Sequence, residues 1–340
     1  MSIRACAATS VTCDLPSGGR FKYPVAAVSL VAVGSIAFDA VRTPFGERER
    51  MLGGSAVHFS LAASFFTDVS VVGPVGDDFG EAEYEALATR GVSTDDIEHV
   101  AGGKTFFWRG HYDYDLNVAH TDDTQLNVFG DFEPKLSEQS KAAESVFLAN
   151  IQPDLQLEVR QQCNAATLVG LDSMNLWIET ARDSLMRAIG AVDLVLMNDA
   201  ELRMLTEQPN LVRAAREVMA MGPRMVVAKQ GEYGAALFTE ESFFALPGYP
   251  LEEVVDPTGA GDSFAGGFLG YLDAIGADAA DDQAVRRAMT YGSVMASFNV
   301  EQFGTERVQR LTHGEINRRF EDFKTITHLD AVPFELRVSG

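Results

Sequence analysis

The chain's densest cluster of chemically capable residues is Asp256-Pro257-Thr258-Gly259-Ala260-Gly261-Asp262. Two valines precede it and the apolar run Ser263-Phe264-Ala265-Gly266-Gly267-Phe268-Leu269 follows, so it reads as a strand-to-helix turn. Glycines let backbone N–H groups approach an anion closely. A helix N-terminus adds unpaired N–H groups and a partial positive charge. Gly259, Ala260 and Gly261 can therefore form an anion hole. Asp262, in the first helical turn, can take the proton of an attacking hydroxyl. An anion sink beside a base is what phosphoryl transfer requires. The plain alternative is a tight turn with a capping Asp. Three small residues directly before the Asp at such a junction favour chemistry.

Further polar residues fall at strand ends. Asp39 follows the first strand, where a carboxylate can hold two sugar hydroxyls; as a surface turn residue it would do nothing. Asn198 and Glu201 open a helix, where an amide and a carboxylate beside phosphates can hold Mg2+ through its waters. They can cap that helix at the same time. Lys229 could neutralise a phosphate as a point charge, or be a solvated strand-end lysine. Asp256 is expected to orient the glycine turn. Asn150, Gln152, Asp172 and Asn175 sit at carboxyl ends of strands, where open α/β sheets bind ligands, and are candidate substrate contacts.

The elements that must position these residues alternate. Continuous apolar runs predict strands at 26–34, 69–73, 145–149, 167–171, 193–197 and 224–229. Helical spacing is expected after Gly53-Gly54 and at 80–90, 154–165, 177–190, 210–221, 261–275 and 282–299. A hairpin is expected at 234–238 and 243–246. The alternation predicts a doubly wound, mostly parallel α/β sheet with helices on both faces. Residues 97–129 break the rhythm with a two-residue period, and are expected to form inserted antiparallel strands, either a small β-sheet lid over the site or an inert edge hairpin. The predicted division is a poorly ordered leader at 1–24, one domain at 25–330 and a tail at 331–340.

The segment DPTGAGDSFAGG closely resembles the signature of the ribokinase-like (PfkB-type) sugar and nucleoside kinases. The resemblance runs from about residue 26 to 325, with its landmarks in family order. Gly34-Ser35-Ile36-Ala37-Phe38-Asp39 looks like the first sugar-contacting turn, and Gly53-Gly54 like the glycine pair before the first large helix. VVGPVGDDFGE at 71–81 matches the segment that follows. Asn198-Asp199-Ala200-Glu201 matches Asn-x-x-Glu, and Lys229-Gln230-Gly231-Glu232-Tyr233-Gly234 sits where members have a nucleotide-binding turn with its glycines. The resemblance implies ATP as phosphoryl donor, Mg2+ as cofactor, Asp262 as base and the 259–262 amides as anion hole. It implies ATP contacts at Asn198, Lys229, Gly231, Gly234 and Asp256, with Ser293 and Asn299 near its base, and acceptor contacts at Asp39, Gly53, Gly54 and His58. A potassium ion near the Asp256 loop is an option it carries. Ala37, Ser55 and His58 depart from the family's usual residues on the acceptor side, which disfavours ribose bound in the ribokinase manner. His58 is either an acceptor ligand or a core residue. The acceptor is expected to be a sugar, polyol or nucleoside. The aromatic 106–114 stretch and VEQFGTE at 300–306 lean towards a nucleoside. A non-catalytic ligand-binding regulator is the rival from another class.

Composition sets the outer bounds. The 340 residues are 46% hydrophobic and 22% charged, enough for a large core. A net charge of −22 with no basic patch excludes nucleic acid and anionic membranes as partners. Arginine carries most of the positive charge; the lysines number six, an acidic, lysine-poor balance that fits a salt-rich cytoplasm or an ordinary acidic enzyme equally well. No apolar run is long enough to span a bilayer. Cys6, Cys13 and Cys163 make no disulfide framework, and a reducing cytoplasm is the simplest setting. The six histidines lack metal-ligand spacing. Gly103-Lys104-Thr105 mimics the end of a P-loop, but Glu98 stands where its first glycine belongs, and no G-x-G-x-x-G follows the first strand. A monomer and a homodimer paired through the small sheet are both open.

Replacing the base gives the first test. Asp262→Asn is expected to lower turnover at least about 100-fold while ATP binding persists, measured by ADP release and by nucleotide titration. Unchanged turnover would remove Asp262 from the chemistry.

Overall fold

The computed structural model describes residues 10–12, 22–24, 28–276 and 282–328. The expected leader and tail lie outside these residues, apart from β1 (Ser10–Thr12) paired antiparallel with β2 (Lys22–Pro24). The remaining strands are β3 (Leu30–Val33), β4 (Ala37–Thr43), β5 (Gly46–Gly53), β6 (Val69–Val75), β7 (Ile97–His99), β8 (Phe106–Tyr112), β9 (Ala119–Gln125), β10 (Ser145–Leu148), β11 (Leu168–Asp172), β12 (Leu194–Asn198), β13 (Met225–Lys229), β14 (Ala235–Phe238) and β15 (Phe243–Leu246). The helices are α1 (Ser55–Ala63), α2 (Glu81–Ala88), α3 (Glu138–Lys141), α4 (Pro153–Gln162), α5 (Asn175–Thr180), α6 (Arg182–Ile189), α7 (Asp199–Thr206), α8 (Leu211–Met219), α9 (Ala260–Ile275), α10 (Asp282–Asn299), α11 (Glu306–Gln309) and α12 (His313–Thr327).

Nine strands form the main sheet in the order β15-β14-β13-β12-β11-β10-β3-β6-β7. They run parallel except for the antiparallel hairpin edge β13-β14-β15. Successive side chains of a strand point to opposite faces. Val31 and Val33 accordingly pack against α4, α6, α7 and α8 through Val159, Leu185, Leu202 and Val218. Leu30 and Ala32 pack on the other face with Phe59 of α1 and Phe264 and Phe268 of α9. Burial on both faces explains the unbroken apolar strands. No helix among the described residues is long and apolar enough to cross a membrane.

A separate four-stranded sheet has the order β5-β4-β8-β9. The expectation for 97–129 is half correct. β8 and β9 enter this sheet, but β7 joins the edge of the main sheet beside β6. The other half comes from residues 37–53, where only a turn ending at Asp39 and the glycine pair at 53–54 were expected and no strand. β4 is buried almost throughout and β5 is exposed over its first five residues, so neither shows the alternation that marks a half-buried strand. The strand expected from residue 26 begins at Leu30, and the helix expected at 177–190 is broken at Ala181 into α5 and α6. α12, with Ile316 and Phe323 buried, was not expected.

Helices α1 and α9 carry the two ends of the site and meet through glycines. A Cβ on Gly266 would lie 2.4 Å from the carbonyl oxygen of Phe59, and one on Gly270 3.0 Å from the Cα of Ala63. Gly266→Ala is expected to force the helices apart at a cost of about 1–3 kcal/mol, seen as a lower midpoint in thermal unfolding. An unchanged midpoint would show that the approach is not tight.

Candidate active site

The carboxyl ends of β10 to β13 converge on the N-terminus of α9. Gly259 caps α9 with φ 74°, a left-handed conformation that favours glycine. The Ala260 N–H closes the turn onto the Pro257 carbonyl at 3.1 Å, while the Gly259 N–H has no partner among the described residues. The Ala260 amide, expected to line an anion hole, is thus already bonded within the turn. Asp262 follows in the first turn.

Two clamps hold this turn. Asp256 is fully buried and accepts from the Thr258 N–H and the Gly304 N–H, each at 2.9 Å. Its expected orienting role thus has a partner in the 300–306 stretch. The second clamp is Asn299, also fully buried. Its Nδ2 donates to the Thr258 carbonyl at 2.7 Å, and its Oδ1 accepts from the Ser263 hydroxyl at 3.1 Å and faces His58 Nδ1 at 3.0 Å. Asn299, expected near the base of ATP, thus has its amide engaged by the turn, α9 and α1. Ser293 lies buried on α10, one side of the helix pair α9–α10.

Lys229 ends β13 and forms an ion pair with Asp172 at the end of β11, Nζ to Oδ2 2.5 Å. Asp172, expected as an acceptor contact, thus already carries the lysine. A Cβ on Gly261 would lie 3.0 Å from Lys229 Nζ, so the ammonium sits against the glycine turn. Asn198 and Glu201 form a reciprocal cap of α7: Asn198 Oδ1 accepts from the Glu201 N–H at 2.7 Å, and Glu201 Oε2 from the Asn198 N–H at 2.9 Å. Burial, then the charge of Asp172, raises Glu201 to about 7 despite Lys229. Burial, then Asp172, raises Asp262 to about 8, again with Lys229 opposing. Burial disfavours the Lys229 cation, but Asp172, Glu201 and Asp262 outweigh it and its pKa is raised. No group of three or more His, Cys, Asp or Glu residues among those described is arranged to hold a metal by itself. A site with excess carboxylate and no closed cage suits a divalent cation that keeps waters and binds phosphates.

Asp39 lies within β4 rather than in a turn, and is buried. Burial, then the charge of Asp256, raises it to about 7, with the Gly54 backbone opposing. A Cβ on Gly53 would come within 1.9 Å of Asp39 Oδ2, so the glycine pair makes room for the carboxylate. Asn150 stands at the end of β10 with its Oδ1 accepting from Trp177 Nε1 at 2.8 Å. At the 229–234 turn, Gly231 and Gly234 have φ 57° and 99°. Asn117, on the β8–β9 connection, is so close to Gly231 that a Cβ there would meet its Oδ1 at 2.3 Å. Tyr112 at the end of β8 accepts from the Thr258 hydroxyl at 3.2 Å. The small sheet thus touches both the glycine turn and the expected nucleotide turn. Asn117 was missed as a site residue, and the ties of Tyr112 to Thr258 and of Gly304 to Asp256 were not expected, although both lie in stretches singled out in the sequence. Residue type alone gives no sign of them, since their partners lie more than 40 residues away in the chain.

The profile of the pfkB family of carbohydrate kinases matches residues 29–310. A cytidine kinase of Thermococcus kodakarensis is 31% identical over 251 residues, covering 71% of this chain and 87% of that protein. Among solved structures, a Burkholderia thailandensis nucleoside kinase in complex with inosine superposes with TM-score 0.73 at 21% identity, covering 86% of this chain and 97% of that one. An Arabidopsis thaliana ribokinase complexed with ribose and ATP gives TM-score 0.70 at 21% identity, covering 87% and 99%. The chain belongs to the pfkB family of carbohydrate kinases. It is an ATP-dependent phosphotransferase with an alcohol group of a sugar or nucleoside as acceptor.

The raised carboxyl groups make stability depend on pH. A carboxyl whose folded pKa exceeds its unfolded value stabilises the fold below the unfolded pKa, and this is lost as pH rises through the folded value. With Asp39 and Glu201 raised to about 7 and Asp262 to about 8 from ordinary carboxyl values near 4, the nucleotide-free protein is expected to lose stability as pH rises from about 4 to about 8 and to level off above that. Asp262→Asn should flatten this slope in denaturant unfolding. An identical slope in the variant would contradict the shift.

Proposed function

We propose that the acceptor is a ribonucleoside. The observation that carries this is the register of β4 and β8. Asp39 pairs with Trp108 and Ala37 with Phe106, so these side chains share a face. A carboxylate that can hold a ribose diol therefore stands next to an aromatic plane that can stack on a base. The relatives whose names specify cytidine and nucleosides support the reading. The small sheet acts as a lid over the acceptor, with Tyr112 meeting Thr258 on closure.

In this reading Asp262 accepts the proton of the acceptor hydroxyl as its oxygen bonds to the γ-phosphorus and the bond to the ADP oxygen breaks. The Gly259 and Gly261 amides and Lys229 stabilise the charge on the transferring group. Asp172 fixes the lysine, and Asp256 fixes the turn. Asn198 and Glu201 would hold the waters of Mg2+, which supplies charge neutralisation on the phosphates when bound. Gly231 and Gly234 would let the nucleotide lie against their turn. A potassium ion near the Asp256 loop would act on the same turn; comparing turnover in potassium and sodium buffers tests it. The outer strand β9 is exposed along its length, leaving an open edge on which a second copy could pair.

ADP release across ribonucleosides, free pentoses, hexoses and polyols decides the acceptor. Ribonucleosides are expected to exceed free sugars in kcat/KM by at least about 10-fold, and Trp108→Ala to reduce that margin, since stacking is worth about 1 kcal/mol or more. Preference for a free sugar, unaffected by Trp108→Ala, would overturn the nucleoside reading.

A further inference from the structure

Helix α4 opens shortly after β10, and its buried line runs through Pro153, Gln156 and Val159, three residues apart. Val159 belongs to the apolar core on that face of the main sheet. Gln156 is fully buried in the same line, where an apolar side chain would avoid the cost of burying an amide. Its oxygen Oε1 is buried and has no hydrogen-bond partner among the described residues. A half-satisfied buried amide is costly, so the work of its nitrogen has to account for its presence.

That nitrogen faces three carbonyls. Nε2 donates to the Ala149 oxygen at 2.9 Å and the Asp172 oxygen at 2.9 Å, with the Leu148 oxygen at 3.3 Å. Carbonyl oxygens only accept, which fixes the nitrogen on this side and leaves Oε1 as the orphan. β10 and β11 run parallel with Leu148 opposite Leu171, so Ala149 and Asp172 are the next step of each strand. The ladder between the two strands stops there, and buried carbonyls beyond it need another donor. One amide supplies both and ties the two strand ends together.

Asp172 is thereby held by its backbone while its side chain serves the site. Its Oδ1 accepts from the Ser173 N–H at 2.8 Å, and its Oδ2 takes Lys229 Nζ at 2.5 Å. The ammonium lies against Gly261 of the glycine turn. A line of contacts thus runs from Gln156 through Asp172 and Lys229 to the turn that carries Asp262.

We infer that Gln156 is a positioning residue for phosphoryl transfer: it fixes the carboxyl ends of β10 and β11 so that Asp172 presents Lys229 to the transferring phosphate. The inference rests on the reading of Lys229 as the cation that meets that phosphate. Gln156 itself makes no contact with substrate.

A double-mutant cycle tests it. Gln156→Met keeps the length of the side chain and removes the donor together with the orphaned oxygen. Turnover is measured for wild type, Gln156→Met, Lys229→Met and the double variant, with the acceptor turned over fastest in the panel above. Gln156→Met is expected to lower kcat at least about 10-fold, since a shift of about 1 Å in a positioned group can cost on the order of 100-fold. KM for the acceptor should stay near the wild-type value, because Asp39 is carried by the small sheet. In the Lys229→Met background the same replacement is expected to cost less than about 2-fold, because the group it positions is gone. A residue that only supports packing gives the same loss in both backgrounds, and equal losses overturn the inference. So does a wild-type kcat in Gln156→Met, or a loss confined to acceptor KM. Wild-type turnover in Lys229→Met would instead remove the lysine from the chemistry, and the role of Gln156 with it. If Gln156→Met does not fold, Gln156→Glu replaces it in the cycle: it has the same shape, its carboxylate cannot donate, and the same outcomes decide. Nitrogen-15 spectra of glutamine-labelled wild type need no variant. The Gln156 side-chain amide protons are expected to exchange slowly with solvent, and fast exchange would overturn the contacts on which the inference depends.

Discussion

The pairing of Lys229 with Asp172 is the contact around which the site is arranged. It crosses from the end of β13 to the end of β11, over the strand that lies between them. Three further carboxyl groups, those of Glu201, Asp262 and Asp39, stand in the same buried region, each with its pKa raised by burial. One ammonium cannot neutralise them all. The nucleotide-free site therefore favours the protonated form of these carboxyl groups up to near-neutral pH. A proton-accepting Asp near neutrality is the useful product of that strain, because a base works best when its pKa lies close to the working pH.

Position is enforced by contacts of long sequence separation. Asp256 ties the glycine turn to Gly304, Asn299 ties it to α1 through His58, and Tyr112 ties it to the small sheet. The helices that carry these groups, α1 and α9, approach through glycines 266 and 270. Protein interiors deform in discrete steps rather than continuously. A change at any of these ties is therefore transmitted to the amides that face phosphate.

Much of this was legible in the chain. The Asp256–Asp262 turn could be read because its chemistry is local: the base, the glycines and the helix that polarises them are covalent neighbours. The parallel sheet could be read because burial on both faces leaves unbroken apolar runs. What could not be read depends on partners chosen in three dimensions. Asn299 was expected beside a nucleotide base, yet its amide serves Thr258 and His58. Asp172 was expected at the acceptor, and its pairing with Lys229 could not be foreseen from either residue alone. Half of the small sheet was hidden because β4 is buried on both faces and β5 is polar, so neither alternates.

The most direct test of the account is the pH profile of kcat/KM for Mg-ATP. This quantity reports groups of the enzyme before the nucleotide binds. Burial and Asp172 place Asp262 at about 8. The account predicts that activity rises with pH on a limb of unit slope and levels near that value, since only the carboxylate can take the proton. A profile flat from weakly acidic to weakly alkaline pH would contradict a base held in this state.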